Sequence, residues 1–297
     1  MRIRVRVPAA VGSRRSRRAA DYGRWVDGRK RLGAYLKARR ELVTPEEVDL
    51  PRGSRRRVPG LRREELALLA GISPDYYLRL EQGRDHNPSP QVLDALASVL
   101  RLDSDATGYL HQLARATAAR PARRETEERV PPGVAELIEQ LTVPTFVQGR
   151  FMDVLAANPL ARALSPQYRP GVNLLRAVFL DPRDRQLHQD WDRATAESVA
   201  GLRAAAGVDL DDPRLDELVD ELCRRSDRFR RLWARQDVRP KVGGFSHMLH
   251  PVVGPLKLRH EKFTVNGADG QLMVMYHAEP GSPSHAALRR LEEPGAR

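Results

Sequence analysis

Two helix signals separated by one glycine are the feature that most constrains this chain. From Glu64 to Gly83 the sequence reads EELALLAGISPDYYLRLEQG. Glycine suits the left-handed turn that ends a helix, while Ser73 can cap free backbone amides and Pro74 favours the first helical position. Ala67 is small enough to let two helices cross closely. The pattern therefore predicts two short helices joined by a tight turn.

Further helices flank this pair. Leu32, Tyr35 and Leu36 have helical spacing, which predicts a first helix over 28–42. Ser89-Pro90 repeats the start signal, and Asp103 can cap a fifth helix. Residues 28–118 thus form an all-α bundle of five short helices, and residues 119–132, rich in Ala, Arg, Glu and Pro, form a linker.

The pattern changes beyond the linker, over residues 133–293. A hairpin is predicted around Gln148-Gly149-Arg150, followed by helices over 174–179, 183–206 and 213–231. Strands are then predicted at Val252-Val253, 256–263 and 272–276, with turns at Asn266-Gly267 and Asp269-Gly270. This order is typical of an α+β domain with an antiparallel sheet.

Positive charge is concentrated in the first part of the chain. Residues 1–130 hold 28 Lys and Arg against 17 Asp and Glu, so they carry 11 of the 12 net positive charges. Clustered Arg and Lys gain affinity for a polyanion by displacing counterions from its phosphates. Residues 1–27 are predicted to be a disordered basic arm; alternatively, they are not part of the natural product.

Composition and motifs exclude several classes of protein. The chain has no apolar stretch long enough to cross a bilayer and no apolar centre in its basic start, so we expect a cytoplasmic protein without a secretory signal. Its one cysteine, Cys223, permits neither an internal disulfide nor a cysteine-based zinc site. His247, His250, His260 and His277 lack a recognisable metal-ligand spacing. No familiar catalytic motif is present, so no catalytic residue and no required cofactor is expected.

Over residues 29–115 the chain resembles the XRE-type, lambda-repressor-like helix-turn-helix family. In that family the helix after the turn enters the major groove of double-stranded DNA. The resemblance implies the following base-reading residues: Ser73, Pro74, Asp75, Tyr76 and Arg79. Arg79 is the best candidate because a guanidinium can donate two hydrogen bonds to guanine. The alternative is an intrahelical pair between Asp75 and Arg79, which their spacing allows.

Phosphate contacts are expected from arginines around the two helices. Arg62 and Arg63 lie in the first turn of the preceding helix, and Arg84 follows the recognition helix. Arg55, Arg56 and Arg57 form the densest charge of the domain, on a loop that either enters a groove or is a solvated charge run. Because short recognition helices generally need a dimer, we expect a homodimer on a near-palindromic site.

The second part resembles the MmyB-like ligand-binding domain, through FMDVLAANPLA at 151–161, HPVVG at 250–254 and AEPGSP at 278–283. The resemblance implies a PAS-like domain that holds a small, largely apolar effector, fatty-acid-like or otherwise apolar. The predicted pocket residues are Phe146, Leu155, Asn158, Trp191, Trp233, Phe245 and Met248. Ordinary core packing is the alternative for most of them, whereas a buried indole N–H of Trp191 or Trp233 needs a partner that a ligand could supply.

These observations predict a sequence-specific DNA-binding transcriptional regulator, not an enzyme, with an effector-binding second domain. The alternative is an enzyme or a protein-interaction module that a helix-turn-helix domain tethers to DNA. Turnover of a bound ligand would favour the enzyme, and a stable protein partner would favour the interaction module.

Overall fold

The computed structural model describes residues 28–51, 58–85, 87–115, 128–207, 212–239, 243–268 and 270–292. The predicted arm (1–27) and Arg55, Arg56 and Arg57 lie outside these ranges. Within them the chain forms a helical N-terminal domain and a C-terminal domain of helices and one antiparallel sheet, which confirms the predicted fold class. None of the helices in these ranges is both long and apolar enough to cross a membrane.

The N-terminal domain contains five α-helices within its described residues. They are α1 (Gly28–Leu42), α2 (Arg63–Leu69), α3 (Pro74–Glu81), α4 (Pro90–Val99) and α5 (Ser104–Arg115), with a 3-10 turn at Glu46–Val48. The predicted caps are confirmed: Ser73 accepts a hydrogen bond from the Tyr76 amide at 3.2 Å and Ser89 accepts one from the Val92 amide at 3.3 Å. Asp103 likewise accepts from the Ala106 amide.

The tight turn between α2 and α3 has the predicted geometry. Gly71 has a φ of +67°, which a residue with a Cβ rarely adopts, and the Ile72 amide donates to the Ala67 carbonyl at 3.0 Å. Ala67, Tyr77 and Leu80 are fully buried where the helices cross. The turn thus fixes the angle at which α3 leaves the bundle.

A buried carboxylate connects three helices of this domain. Glu81, the last residue of α3, accepts hydrogen bonds from Arg40 of α1 at 2.7 Å and from Arg63 of α2 at 2.6 Å. Burial alone would raise the pKa of Glu81, but the two guanidinium groups outweigh it and lower that pKa. The carboxylate is therefore ionised at neutral pH and fixes the C-terminal end of α3.

Five strands form the sheet of the C-terminal domain. They are β1 (Thr145–Gln148), β2 (Val154–Ala157), β3 (Gly244–His250), β4 (Gly254–Thr264) and β5 (Leu272–His277). Their order is β2-β1-β5-β4-β3, and every neighbouring pair is antiparallel. The predicted β1–β2 hairpin is confirmed, with a register shift between Val147 and Gln148.

The prediction of a strand at Val252-Val253 is wrong. These residues form the turn between β3 and β4, because the His250 ring accepts hydrogen bonds from both of their amides and Gly254 has a φ of +79°. Strand β3 was not predicted. It is an edge strand with polar side chains on both faces, such as Ser246 and His247, so its sequence lacks a clear alternation.

Helices cover one face of the sheet and extend the domain to one side. They are α6 (Pro132–Gln140), α7 (Pro159–Leu164), α8 (Leu174–Leu180), α9 (Pro182–Leu187), α10 (Trp191–Ala206), α11 (Pro213–Arg225), α12 (Asp227–Ala234) and α13 (Pro283–Glu292). Two predicted helices are each divided in two. Ser226 caps a new helix through the Phe229 amide, and the Gln189 amide donates to the His247 carbonyl on the edge of β3.

Helix α10 joins the two domains. Arg203, near its C-terminal end, is 1% exposed and lies over the Trp233 ring with its Cζ 3.9 Å from the ring centroid. Its Nη2 donates to the Trp233 carbonyl at 2.7 Å, and its guanidinium also interacts with the hydroxyl groups of Tyr35 and Tyr109 in the N-terminal domain. The charge of one buried cation therefore interacts with aromatic groups of both domains.

The segment after α12 reinforces this junction. Asp237 pairs with Arg39 of α1 at 2.5 Å, and Val238 is buried in the core of the N-terminal domain. Ala204 of α10 packs against the same core. The docking of the two domains thus combines apolar burial with a partly buried ion pair.

Gly33 tests the close approach of α1 to α3. A Cβ at this position would lie 2.2 Å from the Glu81 carbonyl oxygen, whereas a Cβ on Gly108 in α5 would meet nothing within 4 Å. We expect Gly33→Ala to lower the free energy of unfolding by about 1–3 kcal/mol, since backbone must move, and Gly108→Ala to raise it by about 0.5–1 kcal/mol. Urea unfolding measures both, and equal effects would contradict the close contact.

Candidate DNA and ligand sites

Helix α3 presents its N-terminal end to solvent. Tyr77 and Leu80 are buried, which leaves Ser73, Pro74 and Asp75 exposed. The Ser73 hydroxyl is engaged as the helix cap. The five residues predicted to read bases therefore lie on this face. Ser73, Pro74, Asp75 and Arg79 are exposed, and Tyr76 is half-buried.

Arg79 projects from this face with its side chain 51% exposed. Its guanidinium lies over the Tyr76 ring, 5.6 Å from the centroid, and its Nε is 3.9 Å from a carboxylate oxygen of Asp85. Within the described residues its acidic neighbour is thus Asp85, beyond the helix end, and the alternative pair with Asp75 does not form. A contact at this distance in solvent is weak, so the guanidinium can exchange it for a base.

The predicted phosphate-binding arginines differ in their surroundings. Arg62 and Arg63 stand at the start of α2 and Arg84 follows α3, and all three are exposed. Arg63 also donates through Nε to Glu81, while 47% of its side chain remains accessible. Arg55, Arg56 and Arg57 lie outside the described residues. Arg62, Arg63 and Arg84 therefore place exposed positive charge at the start of α2 and just after α3.

A cavity of about 490 Å³ lies between the sheet and helix α10. One wall is the inward face of the sheet, and the opposite wall is the N-terminal half of α10, with Ala194, Glu197 and Ser198. Asp103 and Asp105 of the N-terminal domain also border it. The volume is in the range of small-molecule sites, and the cavity reaches the junction of the two domains.

The sheet wall combines apolar and polar side chains. The side chains that point into the cavity alternate along each strand with outward-facing neighbours. The apolar ones are Phe146, Val274 and Tyr276, and the polar ones on the same face are Gln148, His260 and Lys262. Burial, with nearby Lys262 and Arg193, lowers the pKa of His260 to about 4. Burial also lowers the pKa of Lys262. The imidazole is therefore neutral at neutral pH.

Asp184 also lines the cavity. It is 5% exposed, and burial, with a smaller contribution from Asp181, raises its pKa to about 7. Its Oδ2 is 3.6 Å from Nε2 of His188, whose own pKa is lowered by burial. The hydroxyls of Tyr168 and Tyr276 pair with each other at 3.0 Å beside it. Asp184 is thus a buried carboxyl that is partly protonated at neutral pH.

Two of the seven predicted pocket residues, Phe146 and Phe245, line this cavity. Met248 is fully buried in the core, and Leu155 lies half-buried on the edge strand β2. Neither belongs to the cavity lining. Sequence patterning identified apolar residues of the domain but could not separate a cavity wall from ordinary core.

The predicted polar pocket residues have partners within the protein. Asn158 accepts from the amides of Thr145 and Ala161 and donates to the carbonyls of Leu141 and Val143. The Trp191 indole donates to the Val178 carbonyl at 2.9 Å. Trp233 lies against Phe229 and Arg203 instead of the cavity. The contacts described for Asn158, Trp191 and Trp233 are therefore contacts with other parts of the protein.

Sequence reasoning missed the polar wall of the cavity, although a signal was present. His260 and Lys262 continue the alternation of Leu256 and Leu258, so they occupy inward positions of the same strand. Gln148 likewise follows Phe146 at a spacing of two. A polar residue at an inward strand position is the pattern that could have found them.

The remaining histidines and the cysteine have local roles. His247 interacts with Asp190 at 2.6 Å, and His250 with the Ala163 carbonyl. Across the described ranges, no three His, Cys, Asp or Glu side chains come together as a metal site. Cys223 is half-buried in α11, where burial and nearby Asp220 raise its pKa to about 11.

The raised pKa of Asp184 predicts a pH-dependent stability. Because the folded state binds the proton more tightly than the unfolded chain, wild-type stability falls as the pH rises from about 4 to about 7. Asp184→Asn removes this penalty, so its advantage in free energy of unfolding should grow over that range to at most about 4 kcal/mol. Denaturation between pH 5 and 8 measures it, with exposed Asp192→Asn as the control. A difference that is constant with pH would contradict the shift.

Comparison with known families accounts for both domains. Residues 31–110 match a helix-turn-helix domain, and residues 130–291 match the MmyB-like transcription regulator ligand binding domain. A search among curated proteins gave no significant match. The second family model alone covers more than half of the chain. The chain therefore belongs to the MmyB-like transcription regulators, with a helix-turn-helix DNA-binding domain ahead of its ligand-binding domain.

Proposed function

We propose that this protein is a sequence-specific regulator whose affinity for its operator changes when a small molecule occupies the cavity. The observation that carries the proposal is the double role of α10. Its N-terminal half lines the cavity through Ala194, Glu197 and Ser198, and its C-terminal half contacts the DNA-binding domain through Arg203 and Ala204. One rigid element therefore touches both the effector site and the DNA-binding domain.

The distance along this helix is short. Arg203 lies six positions after Glu197, which corresponds to about 9 Å at the rise of an α-helix. A ligand that displaces the first half of α10 must therefore move Arg203 or bend the helix. Asp103 and Asp105, at the start of α5, supply a second route because they border the cavity directly.

A ligand regulates DNA binding only if it binds two arrangements of the domains with different affinity. Arg203 supplies a physical basis for two arrangements, since its partners Tyr35 and Tyr109 belong to one domain and Trp233 to the other. A shift of α10 would alter these contacts together. The resulting reorientation would change the spacing of the recognition helices in a dimer.

For the DNA complex we propose XRE-type docking of a homodimer, with α3 of each subunit in successive major grooves of double-stranded DNA. Ser73, Pro74, Asp75, Tyr76 and Arg79 would face the bases, and Arg62, Arg63 and Arg84 the phosphates. The proposal places the protein in the cytoplasm with the genomic DNA. It contains no catalytic step.

The effector we propose is a small molecule with an apolar body, fatty-acid-like or otherwise apolar, in a PAS-like domain. Phe146, Met152, Leu174, Val178 and Val274 offer apolar contacts in the cavity. Adaptable side chains such as Met152 suit ligands of varied shape. The proposed effector is a regulator of affinity and is released unchanged.

Arg79 tests the DNA-binding part of this proposal. Selection from random double-stranded DNA should enrich an inverted repeat, and Arg79→Ala should weaken binding to it about ten- to hundredfold while relaxing one position of each half-site. Arg169→Ala removes the same charge from an exposed site in the other domain and should change little. Loss of affinity without any change of sequence preference would show that Arg79 does not read a base.

Ala194 tests the coupling without knowledge of the effector. Ala194→Phe places a ring in the cavity as a substitute for ligand, and we expect it to change operator affinity at least about fivefold, the lower end of typical coupling energies. Ala196→Phe adds the same ring to α10 away from the cavity lining and serves as the control. Binding is measured by fluorescence anisotropy on variants with matched thermal unfolding. Equal operator affinities for the two variants would sink the coupling through α10.

A further inference from the structure

We propose that Lys262 captures a small aldehyde in the cavity by forming a reversible imine with it. This inference rests on the proposed function, because the captured aldehyde would be the effector of the same cavity. It is carried by a lysine amine that points into the cavity without a partner among the described residues, and by an unpartnered donor on the same face of the sheet.

Lys262 provides the amine. It occupies an inward position of β4 and lines the cavity, with Val274 opposite it on β5 and Phe146 opposite Val274 on β1. Its side chain is half-buried, and within the described ranges its amine makes no hydrogen bond or ion pair. Glu197 on α10 acts on it only at longer range, and that carboxylate lies 3.7 Å from Nη1 of Arg193. The amine is therefore open to a ligand.

The surroundings of Lys262 favour the uncharged amine. Burial lowers its pKa more than Glu197 raises it, and the neighbouring His260 ring is neutral at neutral pH. The unprotonated amine is the form that adds to a carbonyl group, and lysines desolvated in apolar pockets form Schiff bases in this way. The position therefore suits a nucleophile better than a permanent cation.

Lysine is a rare basic residue in this chain. Among 51 basic residues, five are lysines: Lys30, Lys37, Lys241, Lys257 and Lys262. Arginine carries a positive charge equally well, but it stays protonated in proteins and cannot form an imine. A lysine at an inward cavity position, in a chain that otherwise relies on arginine, therefore favours a role that needs an amine.

Gln148 supplies a donor for the carbonyl oxygen. It is 2% exposed, it lines the cavity, and its Nε2 makes no hydrogen bond within the described residues. It follows Phe146 by two residues on β1, so it lies on the same face of the sheet as Lys262. A buried donor without a partner is unfavourable, and such groups are few in folded proteins. A carbonyl oxygen would satisfy Nε2 and would be polarised for attack by the amine.

The charges of the lining favour a neutral ligand over an ion. The acidic side chains of the lining are Asp103, Asp105, Asp184, Asp190 and Glu197. The basic ones are Arg193, Arg239 and Lys262. Asp190 pairs with His247 and Arg193, whereas Oδ2 of Asp184 has no hydrogen-bond partner among the described residues. An anion would meet the carboxyl groups and a cation would meet the guanidinium groups, whereas an aldehyde carries no charge.

Imine formation between Lys262 and an aldehyde conserves every atom. The lone pair of Nζ adds to the carbonyl carbon, the two amine protons pass to the oxygen, and the oxygen leaves as water when the C=N bond forms. Nothing is oxidised or reduced. Water that reaches the bond reverses the step and releases the aldehyde unchanged, as a reversible effector requires.

Reductive trapping on the full-length protein tests the capture site. The protein is incubated with naphthaldehyde and sodium cyanoborohydride, which converts an imine into a stable secondary amine, and tandem mass spectrometry locates the labelled lysines. We expect at least about tenfold more label on Lys262 than on Lys257, because the cavity holds the aldehyde beside the amine. Lys257 is the matched control, an exposed lysine of the same strand that faces away from the cavity.

Competition and variants locate the reaction in the cavity. An excess of naphthylmethanol, which has the same ring but no carbonyl group, should reduce the label on Lys262 and leave that on Lys257 unchanged. Lys262→Arg keeps the positive charge and should remove most of the total label, whereas Lys257→Arg should remove little. In the wild-type protein, where no variant has to fold, equal label on Lys262 and Lys257, no label on Lys262, or label that naphthylmethanol does not reduce would overturn the proposal.

Operator binding separates capture from regulation. Naphthaldehyde should change operator affinity at least about fivefold in the wild-type protein, the lower end of typical coupling energies, and should not change it in Lys262→Arg. If Ala194→Phe alters operator affinity while Lys262 takes no label, the capture site is wrong and the proposed function stands. If Lys262 is labelled but neither the aldehyde nor Ala194→Phe alters operator affinity, the regulatory function fails and the capture site remains.

Discussion

The arrangement of the two domains depends on the burial of one cation. A guanidinium that leaves water loses several kcal/mol of hydration, which must be recovered by nearby groups. The Trp233 ring and carbonyl and the hydroxyls of Tyr35 and Tyr109 offset part of this loss for Arg203, although burial still lowers its pKa. These groups belong to different domains and surround the cation only when the domains are docked. The cation therefore makes docking specific in geometry, whereas Val238 supplies apolar burial that is less directional.

Helix α3 is held at both of its ends. Glu81 holds its C-terminal end to α1 and α2 through two guanidinium groups, and the Ser73 cap fixes the start of the helix. Arg79 remains accessible between them. A side chain on a rigid, doubly anchored helix loses little further conformational entropy when it binds, which favours a precise contact.

Much of the fold could be predicted from local chemistry. Serine, proline and glycine at helix ends located the N-terminal helices because capping depends on a few neighbouring residues. Strand β3 was not predicted because an edge strand forms through hydrogen bonds to its neighbouring strand. The Val252-Val253 turn depends on the His250 ring, which accepts hydrogen bonds from both amides. The cavity residues Gln148 and Lys262 were missed because their lack of partners is a property of the folded sheet. Asn158 and Trp191 were predicted to bind a ligand, but they find their hydrogen-bond partners within the protein.

Cys223 allows the distance between the two domains to be measured with dyes. It is the only cysteine of the chain, and a thiol with a pKa of about 11 keeps its proton at neutral pH, so thiol-directed dyes will react with it slowly. Cysteines introduced at exposed positions, one on α3 and one on the outer face of the sheet, can then be labelled in preference to it. Förster transfer between two such dyes would follow the distance between α3 and the ligand-binding domain in solution, with the native sequence otherwise intact.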